Sequence, residues 1–277
     1  MPKIDAHQHF WKYNPWRESW ITDDMKVIQR DFLPEDLQPL LHQHGFDGCV
    51  LVQSAQPEEE NAFLLEQAGK HDFVKGVVGW VDFLADDVEE KLAHYRQFEK
   101  LKGFRYILQD NPDPALMLRP EFKRGVGKLA RYGYTYDVLI YPNQLDYSRE
   151  FVAAFTDQPF VIDHLAKPDI KNKGLTSWQQ SIKAFTEYEN VYCKVSGMVT
   201  EADWKNWKKE DFRPYLDTIV ETFGTSRLLF GSDWPVCLVA ASYAEMLGIV
   251  EDYFSAFSKE EQAAIFGGNA ATFYNLS

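Results

Sequence analysis

A chain of 277 residues that is 45% hydrophobic and 15% aromatic can bury one large core, and a single domain over residues 1–277 of barrel size is the natural reading. A formal net charge of −13 disfavours nucleic acid or an anionic membrane surface as partner and leaves a small molecule as the expected one. Cys49, Cys193 and Cys237, odd in number and far apart, exclude a disulfide frame or zinc knuckle and point to buried thiols in a reducing, cytoplasmic setting. The first strand is reached by Lys3 without an apolar leader, and no run approaches a bilayer span.

The first predicted element, Ile4 to Phe10, ends an apolar run with two imidazoles two residues apart. Alternation along a strand puts His7 and His9 on one face, with Asp5 one step deeper on the same face. Such a pair can chelate a divalent metal or donate to a developing anion when other groups converge on it. Trp11 to Trp20 follows as an aromatic loop that either lines a pocket or caps the core. Pro34 opens a helix ending near Gly45, before the buried strand Gly48 to Gln53.

The same grammar then repeats. Helices are expected over residues 58–69, from 86 through the Val88, Leu92, Tyr95 and Phe98 stripe, over 120–132 with Gly133 as its stop, over 148–155, from Ser177 as cap to Tyr188, and over 212–223 before Gly224. Between them lie the apolar runs Val77–Asp82, Gly103–Leu108, Tyr134–Ile140, Phe160–Leu165, Val191–Gly197 and Leu228–Pro235. Eight strands separated by helices are the number that closes a (β/α)8 barrel, an α/β fold with its chemistry at the C-terminal ends of the strands.

The polar residues obey that rule. His7, His9, Gln53, Trp80, Arg105, Asp137, His164, Lys194 and Asp233 all fall late in apolar strands, where an unpaired charge costs several kcal/mol. Each alone has a simpler reading. His164 can be a satisfied core histidine, Arg105 and Lys194 can pair with Asp137 or Asp82, and Asp233 can cap a helix beginning near Pro235. A ring of them at one mouth asks for a common reason, and an active site supplies it.

His7-x-His9, Asp163-His164-Leu165-Ala166-Lys167-Pro168, Cys193-Lys194-Val195-Ser196-Gly197 and Gly231-Ser232-Asp233-Trp234-Pro235-Val236 resemble the amidohydrolase superfamily, and within it the sugar-lactonase branch of L-fuconolactonase-, L-rhamnonolactonase- and 4-sulfomuconolactonase-like hydrolases. The likeness runs from residue 4 to Gly268-Asn269-Ala270. It implies a hydrolase that opens an aldonolactone, with Asp233 as general base and His164, His7 and His9 beside it. Arg105, Lys194, Gln53, Asp137, Trp11, Trp80 and Trp234 are implied to hold the sugar ring.

The chain departs from binuclear members of the superfamily, which place a lysine on strand four and a histidine on strand five; Arg105 and Asp137 stand there. The resemblance therefore implies either no required metal or one divalent ion, zinc first among the choices, on His7, His9, His164 and Asp233. The lactone's identity is expected to be set by the loops Trp11–Trp20 and Pro168–Ser177. Two other readings stay open: a metal-dependent decarboxylase of an aromatic or unsaturated acid, and a sugar-acid binding barrel without catalysis.

Overall fold

Eight short strands alternate with helices along residues 1–277 of the computed structural model. They are β1 (Ile4–Gln8), β2 (Gly48–Val52), β3 (Val74–Gly79), β4 (Leu101–Ile107), β5 (Thr135–Leu139), β6 (Phe160–Ile162), β7 (Val191–Val195) and β8 (Leu228–Phe230). Each pairs in parallel with the next in chain order. Parallel neighbours need a crossover, and a helix on the outer face supplies it. The helices are α1 (Pro34–Gln43), α2 (Glu59–Lys70), α3 (Val88–Tyr95), α4 (Pro120–Val126), α5 (Leu129–Tyr132), α6 (Leu145–Ala153), α7 (Leu175–Lys183), α8 (Lys209–Phe223), α9 (Tyr243–Phe254), α10 (Lys259–Ala263) and α11 (Asn269–Phe273). The (β/α)8 barrel expected from the strand count is the fold.

Two local expectations need correction. The helix expected over residues 120–132 is two helices, broken at Gly127 and Lys128, and Gly133 then ends the second in the left-handed conformation at φ 73°. A glycine within the run loosens the helix at the break. Helix α7 begins at Leu175 after Gly174, so Ser177 lies inside its first turn and does not cap it.

Two apolar cores result. The larger fills the space between strands and helices. The smaller lies inside the barrel, where Ile4, Ala6, Val50, Val52, Val78, Val161 and Leu229 meet Ala270, Phe273 and Tyr274 from the C-terminal segment. Each such aliphatic side chain contributes roughly 1.5–3 kcal/mol by leaving water. Helix α11 and the residues after it thus floor the barrel at the N-terminal ends of the strands.

The barrel closes between β1 and β8, just past the end of β8. Gln8 bridges Trp234, the His9 amide donates to the Trp234 carbonyl at 2.7 Å, and the Asp233 amide donates to the His7 carbonyl at 2.8 Å. The seam is therefore stitched by the backbone of the residues singled out from sequence. All three cysteines are buried free thiols, and no helix is long and apolar enough to cross a membrane.

Candidate active site

Strand β1 changes face partway along. Ile4 and Ala6 join the inner core, whereas the Asp5 carboxylate accepts from the Tyr243 hydroxyl of α9 at 3.2 Å and from the Ser232 amide at 2.9 Å. The β1–β2 register shifts between Asp5 and Gln8, and this irregularity returns His7 to the inner side directly after Ala6. Asp5 consequently does not share a face with His7 and His9, as strict alternation predicted. Gly231 makes room for the shifted ring, because a Cβ there would lie 2.6 Å from that of His7.

His164 is placed by a different device. Strand β6 ends at Ile162, and His164, Leu165, Ala166 and Lys167 all take left-handed backbone, with φ between 51° and 57°. Each such residue costs about 1–2 kcal/mol, so the turn persists only because its surroundings over-determine it. The Trp178 indole donates to the Leu165 carbonyl at 2.7 Å, the Lys167 amide to the His164 carbonyl at 2.7 Å, and Ser196 Oγ lies 2.9 Å from His164 Nδ1. Gly197, at φ 64°, lets the ring lie flush, since a Cβ there would meet His164 Nδ1 at 2.5 Å. Asp233 also has left-handed backbone, at φ 58°, and the short helical turn after Pro235 receives no side-chain cap. The capping role considered for Asp233 is not what its carboxylate does.

These devices bring three imidazoles to one carboxylate oxygen. His9 Nε2 is 3.4 Å from Asp233 Oδ1, and the Nε2 atoms of His7 and His164 are each 3.9 Å from it. His7 and His9 face each other, Nε2 to Nε2, at 3.2 Å. His9 Nδ1 lies 2.7 Å from the Val52 carbonyl, which can only accept, so the His9 proton sits on Nδ1 and the Nε2 lone pair points at Asp233 and His7. Burial lowers the pKa of His7 and His9 and brings that of His164 down to about 4, so all three rings are neutral at neutral pH. Burial alone would raise the Asp233 carboxyl, but the positive charge that His164 and His9 take on in acid outweighs it and holds the carboxyl below the usual carboxylate range.

Three neutral imidazoles gathered at an ionised carboxylate are groups that can hold a divalent cation. Ligand atoms of His7, His164 and Asp233 lie within 4.8 Å of one another, and His9 stands beside two of them. Histidine nitrogens and a carboxylate oxygen suit zinc, and the His9 Nδ1–H held by a carbonyl is the outer support that metal-bound imidazoles commonly have.

Beneath the mouth lies a second polar cluster. The Lys194 ammonium donates to Asp137 at 2.5 Å, lies 3.1 Å from Asp163 and 3.1 Å from His7 Nδ1. Arg105 donates to Asp163 at 2.9 Å and to the Gln53 carbonyl, and the Gln53 amide returns a bond to the Arg105 carbonyl at 3.1 Å. Tyr274 from the floor donates to Asp137 at 2.8 Å. Burial pushes Asp137 up to about 6 despite Lys194; Asp163 is equally buried, but Lys194, His7 and Arg105 hold it well below the usual range.

A cavity of about 360 Å³ opens above His9, His164, Asp233 and Arg105. Of the residues expected to hold the ring, only Arg105 reaches its wall. Asp137, Lys194 and Gln53 lie below, committed to the ion cluster. Trp11 is buried with its indole N–H donated to the Arg30 carbonyl, Trp234 packs on Phe10 and Phe32, and Trp80 sits behind Gln56 with its N–H 3.3 Å from that amide oxygen. The Trp11 and Trp234 rings serve the frame of the mouth because the apolar outer core takes them in.

The wall is made instead by Trp20, Gln56, the loop after β4 and Lys167. Trp20 belongs to the first of the two loops expected to set specificity; residues 168–177 of the second do not reach the cavity, and Gln109, Asp110, Asn111 and Pro112 take that place. The Gln109 side-chain oxygen is buried there without a partner. Asn111-Pro112 after an apolar strand was a legible turn signal that marked this loop.

The amidohydrolase family pattern matches residues 4–276. An L-fucono-1,5-lactonase of Burkholderia multivorans is 40% identical over 99% of this chain and 96% of that protein, and one of Burkholderia ambifaria is 34% identical over 99% and 96%. A crystal structure of an amidohydrolase from Burkholderia multivorans with bound zinc is 40% identical, covers all of both chains and superposes with a TM-score of 0.96. With its His-x-His seam, its histidine after β6 and its aspartate after β8, the chain belongs to the amidohydrolase family.

Proposed function

We propose that this protein hydrolyses the ester bond of a sugar lactone, of the L-fucono- or L-rhamnono-lactone type, to the open sugar acid. One observation carries the reading: three neutral imidazoles converge on the single oxygen Asp233 Oδ1, at 3.4, 3.9 and 3.9 Å, beneath a cavity large enough for one monosaccharide ring. Relatives named as L-fucono-1,5-lactonases over nearly the whole chain support the substrate class.

Asp233, ionised at neutral pH, takes a proton from the attacking water as it adds to the lactone carbonyl. The ring C–O bond then breaks, and the alkoxide receives that proton from the acid form of Asp233. An alkoxide leaves an ester with modest help, so one acid/base residue serves both halves. Arg105 supplies positive charge at the wall, and the apolar frame of Trp11 and Trp234 keeps water from the seam. His9, with its proton committed to Val52, acts as an acceptor and not as an oxyanion donor.

His7, His9, His164 and Asp233 would hold one zinc ion, whose chemistry there is Lewis acidity toward the carbonyl. The buried free thiols fit a cytoplasmic setting.

The test is a pH-indicator assay over a panel of aldonolactones, run before and after chelator dialysis and again after added zinc. Acid release from L-fucono-1,5-lactone, lost on chelation and restored by zinc, is the expected result. Carbon dioxide release from an aromatic acid without acid release from any lactone would overturn it, as would calorimetric binding of sugar acids with no turnover.

A further inference from the structure

Lys167 closes the left-handed turn that carries His164, and that turn aims its side chain into the cavity beside His9, His164 and Asp233. Its ammonium is loosely held: Glu201 Oε1 lies 3.6 Å away, the Tyr141 ring centroid 5.8 Å, and the side chain keeps 18% of its surface exposed. A tight charge-assisted bond would be 2.7–2.9 Å, so the three N–H donors are not saturated. The other cation of the wall is committed: Arg105 gives its terminal nitrogens to Asp163 and to Gln53. The wall also carries the carboxylates Asp110 and Asp233, in a chain of net charge −13.

Ring opening creates a new anion in this setting. Water adds to the carbonyl carbon, the ring C–O bond breaks, the alkoxide takes one proton, and the new acid gives one proton to solvent. One water is consumed, and a carboxylate stands where the neutral carbonyl stood. Beside two fixed carboxylates it needs a cation with free donors within reach.

We infer that Lys167 is that cation: it binds the carboxylate formed on ring opening and, before that, the negative charge growing on the carbonyl oxygen. The assignment rests on the lactonase reading for its substrate, but the carboxylate site can be tested apart from turnover. A sugar acid is held by charge at Lys167, a neutral lactone much less so, and product affinity therefore carries a salt dependence that substrate affinity lacks.

The experiment measures binding of sodium L-fuconate, made by hydrolysing L-fucono-1,5-lactone, to the full-length wild type, K167M, K167Q and K167R by calorimetry at low and high salt. Alongside it run KM for the lactone and thermal melts of all four proteins. Expected are dissociation constants for L-fuconate raised about tenfold in K167M and K167Q, within about threefold of wild type in K167R, and salt-dependent only where the cation remains. The product constant should move more than KM. Unchanged L-fuconate binding in folded K167M and K167Q, or no binding to the wild type, would overturn the inference. Lys167-dependent L-fuconate binding in a protein that opens no lactone would sink the lactonase reading and leave this site standing. Lactone turnover with Lys167-independent product binding would do the reverse.

Discussion

The mouth of this barrel and the ion cluster beneath it, the floor of the site, are both polar and both buried, yet they are built on opposite rules. In the floor, every charge meets a counter-charge: Asp137 and Asp163 face Lys194 and Arg105, and the four sum to zero. In the mouth, the near neighbours of the Asp233 carboxylate oxygen are three neutral rings, and the His9 lone pair is turned toward it. A charge-balanced cluster resists change, whereas a carboxylate among neutral rings is open to a proton, a cation or a substrate. His7 is the joint between them, with Nδ1 on Lys194 and Nε2 on His9. The contrast separates the residues proposed to do chemistry from those that hold them in place.

The sharpest way to break the contrast is to remove the carboxylate at the centre of the mouth. Asp233→Asn should leave a folded protein and lower lactone turnover about 10²–10⁴-fold, the usual worth of a general base. Near-normal kcat in that variant would mean that the mouth, like the floor, is architecture.

The converse substitution strikes the floor. Lys194→Met leaves Asp137 with only Tyr274 and removes one of the two cations on Asp163, so it should cost about 3–5 kcal/mol of stability, read by urea unfolding. Adding Asp137→Asn restores the charge balance and should recover part of that loss, whereas additive losses would show that the ions are not coupled.

This division also explains how much was legible from sequence. Strand count and order follow from periodicity, and polar residues late in apolar runs mark a ring of candidates, because barrel geometry turns sequence position into height above the floor; the choice of His7, His9, His164 and Asp233 from that ring comes with the family resemblance. Which of two faces a residue takes is another matter. The irregularity in β1 moves Asp5 outward, and the left-handed turn carries His164 and Lys167 off the end of β6; neither leaves a trace in local propensity. Asp137 and Lys194 show why charge in a core strand is ambiguous: an ion cluster that supports a site and the site itself have the same residue types at adjacent heights. Tryptophans deceive in a similar way, since Trp11 and Trp234 sit beside the mouth while their rings face the outer core.

The gentlest probe of the contrast is protonation. Burial takes His164 from 6.5 down to about 4 in the folded state, so between those values the unfolded chain binds a proton that the folded one refuses. Stability then falls as pH drops through this window, by up to about 1.4 kcal/mol per pH unit from this group alone. Asp137 in the floor runs the other way: raised from 3.8 to about 6, it takes its proton while folded before it does unfolded, and gains stability as pH falls through the same range. Mouth and floor thus partly cancel in the wild type. His164→Asn removes the mouth's share, so the variant's stability relative to wild type, measured by urea unfolding in chelator at pH 7, 6 and 5, should improve as the solution is acidified. Parallel stability curves would show that His164 is solvated enough to charge freely, and the neutral-ring account of the mouth would fall with it.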